Sequence, residues 1–138
     1  MIIDATDTIL GRLASHSAKK ALAGEEIIII NAEKAIVSGT KIDILRRYKF
    51  KRDVGDSIKG PFNSRMPDRM VRRTIRGMLP RKTHRGKEAF KNIKVHIGTP
   101  KDITGKPEKI ERHDKTSLNN PKYITIAEIS KWLGARQI

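Results

Sequence analysis

Residues 25–39, EEIIIINAEKAIVSG, give the clearest indication of the fold of this chain. The four consecutive isoleucines, Ile27 to Ile30, are too few for a helix and are apolar on both faces. This pattern is typical of a central parallel strand that helices cover. Residues 35–37 predict a second short extended segment.

A helix is predicted just before this strand, because apolar and small residues recur there at steps of three and four. Together with the apolar run that starts the chain, it predicts a strand–helix–strand unit. Asp7 or Thr8 is expected to cap the start of the helix, and Gly24 its end. Gly11 and three alanines make the helix face small, which would let the helix approach a sheet closely. The residues of the predicted helical period are Leu10, Leu13, Ala14, Ser17, Ala18, Ala21 and Leu22.

The rest of the chain predicts a mixed α/β order of elements. Thr40 and Asp43 resemble a capping box at the start of one helix. Residues 53–67 are rich in glycine and proline, which indicates a loop that becomes ordered on binding. Residues 98–121 predict a long surface loop. The remaining elements are predicted as helices over 41–51, 68–79 and 127–133, a short helix around 89–90, and extended segments over 95–97 and 123–126.

Length and composition exclude several classes of protein. A chain of 138 residues predicts one α/β domain over 1–138. The absence of cysteine excludes disulfides, a thiolate nucleophile and zinc ribbons. The N-terminal residues lack the basic start and apolar run of a signal peptide, and no segment has the length of a membrane span. The cysteine count by itself leaves the compartment open, and a cytoplasmic location fits it.

Positive charge is concentrated in the middle of the chain. The whole sequence has 30 Lys and Arg against 15 Asp and Glu, a net charge of +15. Residues 41–87 contain 16 of these basic residues and only 4 acidic ones, whereas residues 1–40 contain 4 basic and 5 acidic ones. The sequence thus separates a nearly neutral folding unit from a basic region, 41–87, that is predicted to bind a polyanion.

The segment DRMVRRTIRGMLP, residues 68–80, predicts an amphipathic helix with an arginine face. At 100° per residue, Arg69, Arg72, Arg73 and Arg76 share one face. Like charges at this spacing repel by a few tenths of a kcal/mol per pair unless an anion lies between them. A phosphate-rich partner explains the pattern better than an ordinary solvated face. The opposite side carries Met70, Val71, Thr74, Ile75 and Met78.

Arginine predominates in the basic region, and its planar fork matches two phosphate oxygens or a phosphate and a base edge. The chain has only 1 Trp, 2 Tyr and 3 Phe. This scarcity argues against membrane-surface insertion and against single-strand binding by base stacking. We therefore expect recognition of RNA shape and backbone. The predicted RNA contacts are Arg46, Arg47, Lys49, Lys51, Arg52, Arg65, Arg69, Arg72, Arg73, Arg76, Arg81, Lys82, Arg85 and Lys87.

Catalytic and metal sites have little support in the sequence. His16, His84 and His113 are the candidate acid–base groups of an RNA-cleaving enzyme, but no second catalytic group can be placed beside them. The histidines also lack metal-ligand spacing. Asp4 and Asp7 are better explained by a strand end and a helix cap than by a carboxylate pair. We predict no catalytic residue, metal, cofactor or small-molecule substrate.

Three ordered motifs resemble the family of the universal large-subunit ribosomal protein thirteen. They are DATDTILGRLAS at 4–15, INAEKAIVSG at 30–39 and GPFNSRMPDRMVRRTIRGMLPRKTHRG at 60–86. The part most specific to that family consists of RGMLP, the basic turn after it and KVHIG at 94–98. The ending KYITIAEISKWLG, residues 122–134, is similar to the archaeal branch. Asn63, Ser64 and His96 depart from the residues that relatives often carry there.

The resemblance implies a three-layer α/β/α fold with a small, mostly parallel central sheet of about four strands. It also implies a role in early assembly of the large ribosomal subunit against its long rRNA. By motif position, Gly77 would be a close approach or the end of the helix, and Pro80 the helix stop. The implied RNA contacts are Arg65, Arg69, Arg73, Arg76, Lys82 and Arg85, all within the set predicted above.

Our sequence interpretation is a ribosome-bound structural protein, monomeric within the large subunit and next to other ribosomal proteins. It has no predicted membrane partner. Two alternatives remain open: a free RNA-binding regulator of translation and, with less support, the RNA-cleaving enzyme.

Overall fold

The computed structural model describes residues 1–101, 103, 105–110, 114–118 and 121–136. Strands and helices alternate through the first half of the chain, as the sequence predicts. The strands are β1 (Ile2–Asp4), β2 (Ile27–Ile30), β3 (Ile36–Ser38), β4 (Ile93–Val95) and β5 (Tyr123–Thr125), and the helices are α1 (Leu10–Leu22), α2 (Lys41–Asp53), α3 (Pro67–Met78), α4 (His84–Lys91) and α5 (Ile126–Trp132).

The isoleucine strand β2 lies at the centre of a parallel sheet with the order β1–β2–β4. Ile29 pairs with Ile3 of β1 and with Val95 of β4. β3 and β5 form a separate antiparallel pair in which Ile36 lies opposite Thr125. The mixed α/β class and the strand–helix–strand unit are therefore confirmed. The expected single sheet of about four strands is instead three parallel strands and a separate pair.

The start of α1 differs from the prediction. Ile9 is the N-cap residue and makes no capping side-chain bond. Its backbone pairs with Ile36, and Thr8 pairs with Asp114, so the chain enters the helix in an extended conformation. The Thr8 side chain is fully buried and cannot serve as an exposed cap. Neither Asp7 nor Thr8 caps the helix.

The small-residue face of α1 packs most extensively against α3, and less against the sheet. Ala14, Ala18 and Ala21 are buried there, and small side chains allow two helix axes to lie close together. Gly11, which we expected on this face, is exposed. Gly24 has a φ of 96° just past the helix, as expected for a glycine that ends a helix.

The predicted boundaries move where proline and sheet pairing intervene. Pro67 is the first residue of α3, a position that suits proline because its missing N–H is not needed there. β4 begins at Ile93, two residues before the prediction, because Ile93 pairs with Ile27 at the centre of the sheet. Thr40 donates to the Asp43 carboxylate and caps no backbone N–H, so the predicted capping box is wrong.

The segment predicted as a surface loop, 98–121, also contributes to the core where the structure describes it. The Glu108 N–H donates to the carbonyl of Ile2 at 2.9 Å, and the Glu108 carbonyl accepts from the N–H of Asp4 at 3.1 Å. Ile110 is only 7% exposed. Part of this segment therefore extends the edge of the sheet beside β1.

The loop predicted over 53–67 is present and folds back on itself. Asp56 and Gly60 exchange two backbone hydrogen bonds, of 3.2 and 2.9 Å. Gly55 has a φ of 110°, and a Cβ at this position would lie 2.3 Å from the carbonyl oxygen of Gly60. Glycine is therefore required at this turn. Ordering of the loop by binding stays a prediction.

Candidate nucleic-acid interface

Helix α3 presents its arginines on one side and contributes to the core with the other, as predicted. Val71 and Ile75 are fully buried, whereas Arg72 and Arg73 are exposed. Met78 was expected on the apolar side but is 43% exposed. The helix ends there, and the next residue, Leu79, turns into the core in an extended conformation. The core thus holds the arginine face in a fixed orientation.

Two of these arginines are held by neighbouring aromatic residues. The guanidinium carbon of Arg72 lies 4.7 Å from the centre of the Phe90 ring, within the range of a cation–π contact. Arg73 donates from Nη1 to the carbonyl of Phe62 at 3.2 Å. Side chains that are already oriented lose less conformational freedom when they bind. These two guanidinium groups are therefore preorganised for an anion.

Three neighbouring concavities join the arginines into one surface, which we call the arginine groove. Their volumes are about 280, 490 and 370 Å³. The first shares Arg69 with the second, and Arg73 and Arg76 with the third. Successive cations at such spacing suit a phosphate backbone. The basic residues of the arginine groove are Arg52, Arg65, Arg69, Arg72, Arg73, Arg76, Arg81 and Lys82.

Within the described part of the chain, no ion pair neutralises a cation of the arginine groove. The ion pairs found there join Lys20 to Glu25, Lys41 to Glu128, His84 to Glu88 and Lys115 to Asp7. A surface with this much uncompensated positive charge attracts a polyanion over a distance of about 8–10 Å at ordinary salt.

Two predicted contacts also hold parts of the fold together. Arg52 donates to the carbonyl of Leu133 at the end of α5. Arg85 donates from Nη2 to the carbonyl of Leu22 at the end of α1, at 3.1 Å. A cation at the C-terminal end of a helix satisfies free carbonyls and favours the helix dipole. Arg85 is therefore at least partly structural.

The other predicted contacts lie outside the arginine groove. Lys51 lies over the ring of Tyr48, with Nζ 5.5 Å from the ring centre. The remaining residues are exposed on α2 and α4, and these are Arg46, Arg47, Lys49 and Lys87.

Sequence reasoning missed Phe62 and Phe90, which line the arginine groove. Phe62 is 71% exposed although it is a large apolar residue. An exposed aromatic beside arginines is typical of nucleic-acid surfaces. The proximity of Phe62 to Arg65 in the sequence was an available signal. Nothing in the sequence indicated that Phe90 would lie against Arg72.

The candidate catalytic groups do not form a catalytic site in the described residues. His84 Nδ1 lies 3.6 Å from Glu88 Oε2 on exposed turns of α4, so a carboxylate is closer to this histidine than the sequence suggested. His16 is half-buried, and His113 lies outside the described residues. Across 1–101, 103, 105–110, 114–118 and 121–136, no three histidine or acidic side chains are grouped as metal ligands. None of the helices there is long and apolar enough to cross a membrane.

The two N-terminal carboxylates serve the fold. Asp4 Oδ1 accepts hydrogen bonds from the N–H and hydroxyl of Thr6, at 3.0 and 2.7 Å, and from Asn31 Nδ2 at 3.0 Å. Burial alone would raise the pKa of Asp4, but these hydrogen bonds outweigh it and hold the pKa below its usual value. Asp7 pairs with Lys115 at 3.0 Å.

Comparison with known proteins extends the resemblance noted in the sequence. The sequence profile of a family described as "Ribosomal protein L13" matches residues 1–102. Relatives named "Large ribosomal subunit protein uL13" align over nearly the whole chain. The relative from Methanocaldococcus jannaschii is 48% identical over 98% of both chains. The relative from Archaeoglobus fulgidus is 46% identical over 99% of this chain and 89% of its own. The relative from Haloarcula marismortui is 42% identical over 99% of this chain and 92% of its own.

Proposed function

The chain belongs to the ribosomal protein L13 family, and we propose that it is a structural constituent of the large ribosomal subunit, without enzymatic activity. In this proposal it binds folded large-subunit rRNA through the arginine groove and supports early subunit assembly. It acts as one domain over 1–138, cytoplasmic and ribosome-bound, monomeric within the subunit and next to other ribosomal proteins. The basic region, 41–87, supplies the RNA-binding surface.

One observation carries the proposal: the arginine face of α3 is held by the core and is not neutralised by an ion pair within the described residues. Folded RNA is a dense array of phosphates that fits such a surface. The family name supports the ribosome as the place where that RNA is found.

The test is sedimentation of lightly tagged protein from its native cells through a density gradient at high salt. We expect near-stoichiometric retention on large subunits. If most of the protein stayed at the top of the gradient, or if salt released it from the subunits, a free RNA-binding regulator would be the better interpretation.

A second measurement addresses the chemistry of the interface. Binding of the purified chain to a large-subunit rRNA transcript should weaken with salt, with a log–log slope of about −5 to −9 for roughly six to ten neutralised phosphates. A slope near zero would contradict an interface made by the arginine groove.

A further inference from the structure

A cleft between α2 and α3 adjoins the arginine groove and shares Arg52, Asn63, Ser64, Arg73 and Gly77 with it. We call it the α2–α3 cleft, and its volume is about 280 Å³. Its lining combines apolar side chains with polar and positively charged ones. The residues used below are Tyr48, Asn63, Met70, Thr74, Gly77 and Leu133.

Gly77 is the unusual residue of this cleft. It lies in the last turn of α3, is exposed, and has no need of a left-handed backbone conformation. A Cβ built at Gly77 would meet no atom within 4 Å. The close approach that the family motif implied at Gly77 therefore does not exist inside the described chain, and α3 ends one residue beyond it, at Met78. Glycine disfavours the helix here, and no contact within the described chain requires it.

The walls of the α2–α3 cleft suit a planar aromatic group. Tyr48 is only partly exposed, and Met70 and Leu133 are buried. A flat ring can stack on, or pack against, such side chains. Asn63 donates from Nδ2 to the carbonyl of Lys51, which leaves its amide oxygen to accept a hydrogen bond. Thr74 donates its hydroxyl to the Met70 carbonyl at 3.0 Å and likewise retains acceptor capacity.

The charges around the cleft indicate which aromatic group it takes. Lys51, Arg52 and Arg73 all line it, and Arg52 and Arg73 also line the arginine groove. A nucleotide presents a flat base between phosphates, so it matches apolar walls flanked by cations. An aromatic side chain of another protein would fit the walls, but it would bring no negative charge to these cations.

We propose that the α2–α3 cleft holds one unpaired nucleobase of the bound rRNA, with Gly77 leaving room for its entry. This inference rests on the proposed function. It also changes the expectation drawn from the sequence, since recognition would include one base in addition to RNA shape and backbone.

The experiment compares Gly77→Leu with Gly11→Leu. Gly11 is a matched control, because it is also exposed in a helix, has no atom within 4 Å of a built Cβ, and lies on α1 away from the cleft. Both leucine variants should fold, and their melting temperatures should not fall below that of the wild type, since leucine favours helix over glycine. Gly77→Ala and Gly11→Ala serve as a milder pair.

Two readouts are made on a large-subunit rRNA transcript: affinity and base reactivity toward a chemical probe. The wild type and Gly11→Leu should protect the same unpaired base, whereas Gly77→Leu should leave it reactive and bind on the order of tenfold more weakly. The salt slope should stay the same for all three, because no cation is removed. An abasic nucleotide at the protected position should lower the affinity of the wild type for the transcript by a similar factor. It should not lower the affinity of Gly77→Leu any further.

If Gly77→Leu bound the transcript as tightly as the wild type and protected the same base, the nucleobase proposal would be overturned, while the proposed function would remain intact. A loss of affinity that persists against the abasic transcript would also overturn it, since the substitution would then act on the backbone contacts. Failure of the wild type to bind rRNA at all would overturn the proposed function and this inference together.

Discussion

Helices α2 and α3 are both basic, but they are used in different ways. α2 carries six basic and two acidic residues, and α3 carries four and one. α2 buries only Ile44, whereas α3 buries four residues, two of them completely. α2 also leaves Ile42 and Phe50 about 70% exposed. Charge alone therefore does not define an interface, since α3 holds four arginines on a surface that the core fixes in place, whereas α2 contributes Arg52 to the arginine groove and leaves its other cations outside it.

The largest expected effect is on stability. Ile75→Ala in α3 should lower the free energy of unfolding by about 2–5 kcal/mol, because it leaves a cavity in a fully packed site. Ile42→Ala in α2 should change it by less than about 0.5 kcal/mol, because the side chain is already exposed. Urea unfolding of both variants measures this. Equal losses would mean that α2 is anchored as firmly as α3.

The next effect is on RNA binding. Replacing Arg69, Arg73 and Arg76 together by Ala should weaken binding to the rRNA transcript on the order of a hundredfold, because three charge-assisted contacts are lost. It should also reduce incorporation into large subunits while the core stays folded. A matched triple variant in α2 removes the same amount of positive charge. It replaces Arg46, Arg47 and Lys49 by Ala.

The two triples differ in the orientation of the cations that they remove. The triple substitution in α2 should lower the affinity for the rRNA transcript on the order of tenfold, since it removes exposed cations outside the arginine groove. A greater loss from the α2 triple would reverse the comparison, and normal incorporation of the α3 triple would remove those arginines from the interface. Circular dichroism spectra of both variants serve as the folding control.

A smaller effect should follow from loosening a single arginine. Phe90→Leu keeps an apolar group packed against the core but removes the ring under Arg72. Such a contact is worth about 0.5–1 kcal/mol at an exposed site, so affinity should fall about two- to fivefold with an unchanged salt slope. Phe50→Leu in α2 is the control and should have no effect. If both substitutions left the affinity unchanged, preorganisation of Arg72 would not contribute to binding.

The smallest effect concerns a charge that serves the fold. Because hydrogen bonds hold the pKa of Asp4 low in the folded chain, its carboxylate stabilises the fold above the unfolded pKa of about 3.9. This contribution is lost as the pH falls through the lower, folded pKa. The wild type should therefore be more stable than Asp4→Asn at neutral pH, and the two unfolding curves should approach each other in acid. A difference that does not depend on pH would assign the effect to packing.

The elements that could be predicted from sequence are those whose signal lies in neighbouring residues. The isoleucines of β2, the period of α1 and the two faces of α3 are local patterns, and each matches the structure. The N-terminal caps of α1 and α2 were predicted wrongly. Thr8 and Ile9 lie in backbone pairings with distant residues, and those pairings decide how the chain enters α1.

The candidate site shows the same limit. The residue types and the helical face of α3 predicted a cationic surface, but the second role of Arg85 could not be predicted, because its partner is a carbonyl on α1. Phe62 was not singled out in the sequence, where the small number of aromatics argued against stacking, yet its exposed ring lines the arginine groove. The number of aromatics in a chain says little about where they lie.

A basic α/β protein with a central apolar strand and one arginine-faced helix follows from the amino-acid sequence alone, because side-chain chemistry and helical or strand periodicity suffice for that. The folded structure was needed to reveal the parallel order of β1, β2 and β4, the Arg72–Phe90 contact and the cleft beside Gly77. These features join residues far apart in the chain. Their free energies depend on packing and desolvation at a contact, and no local pattern encodes which contact forms.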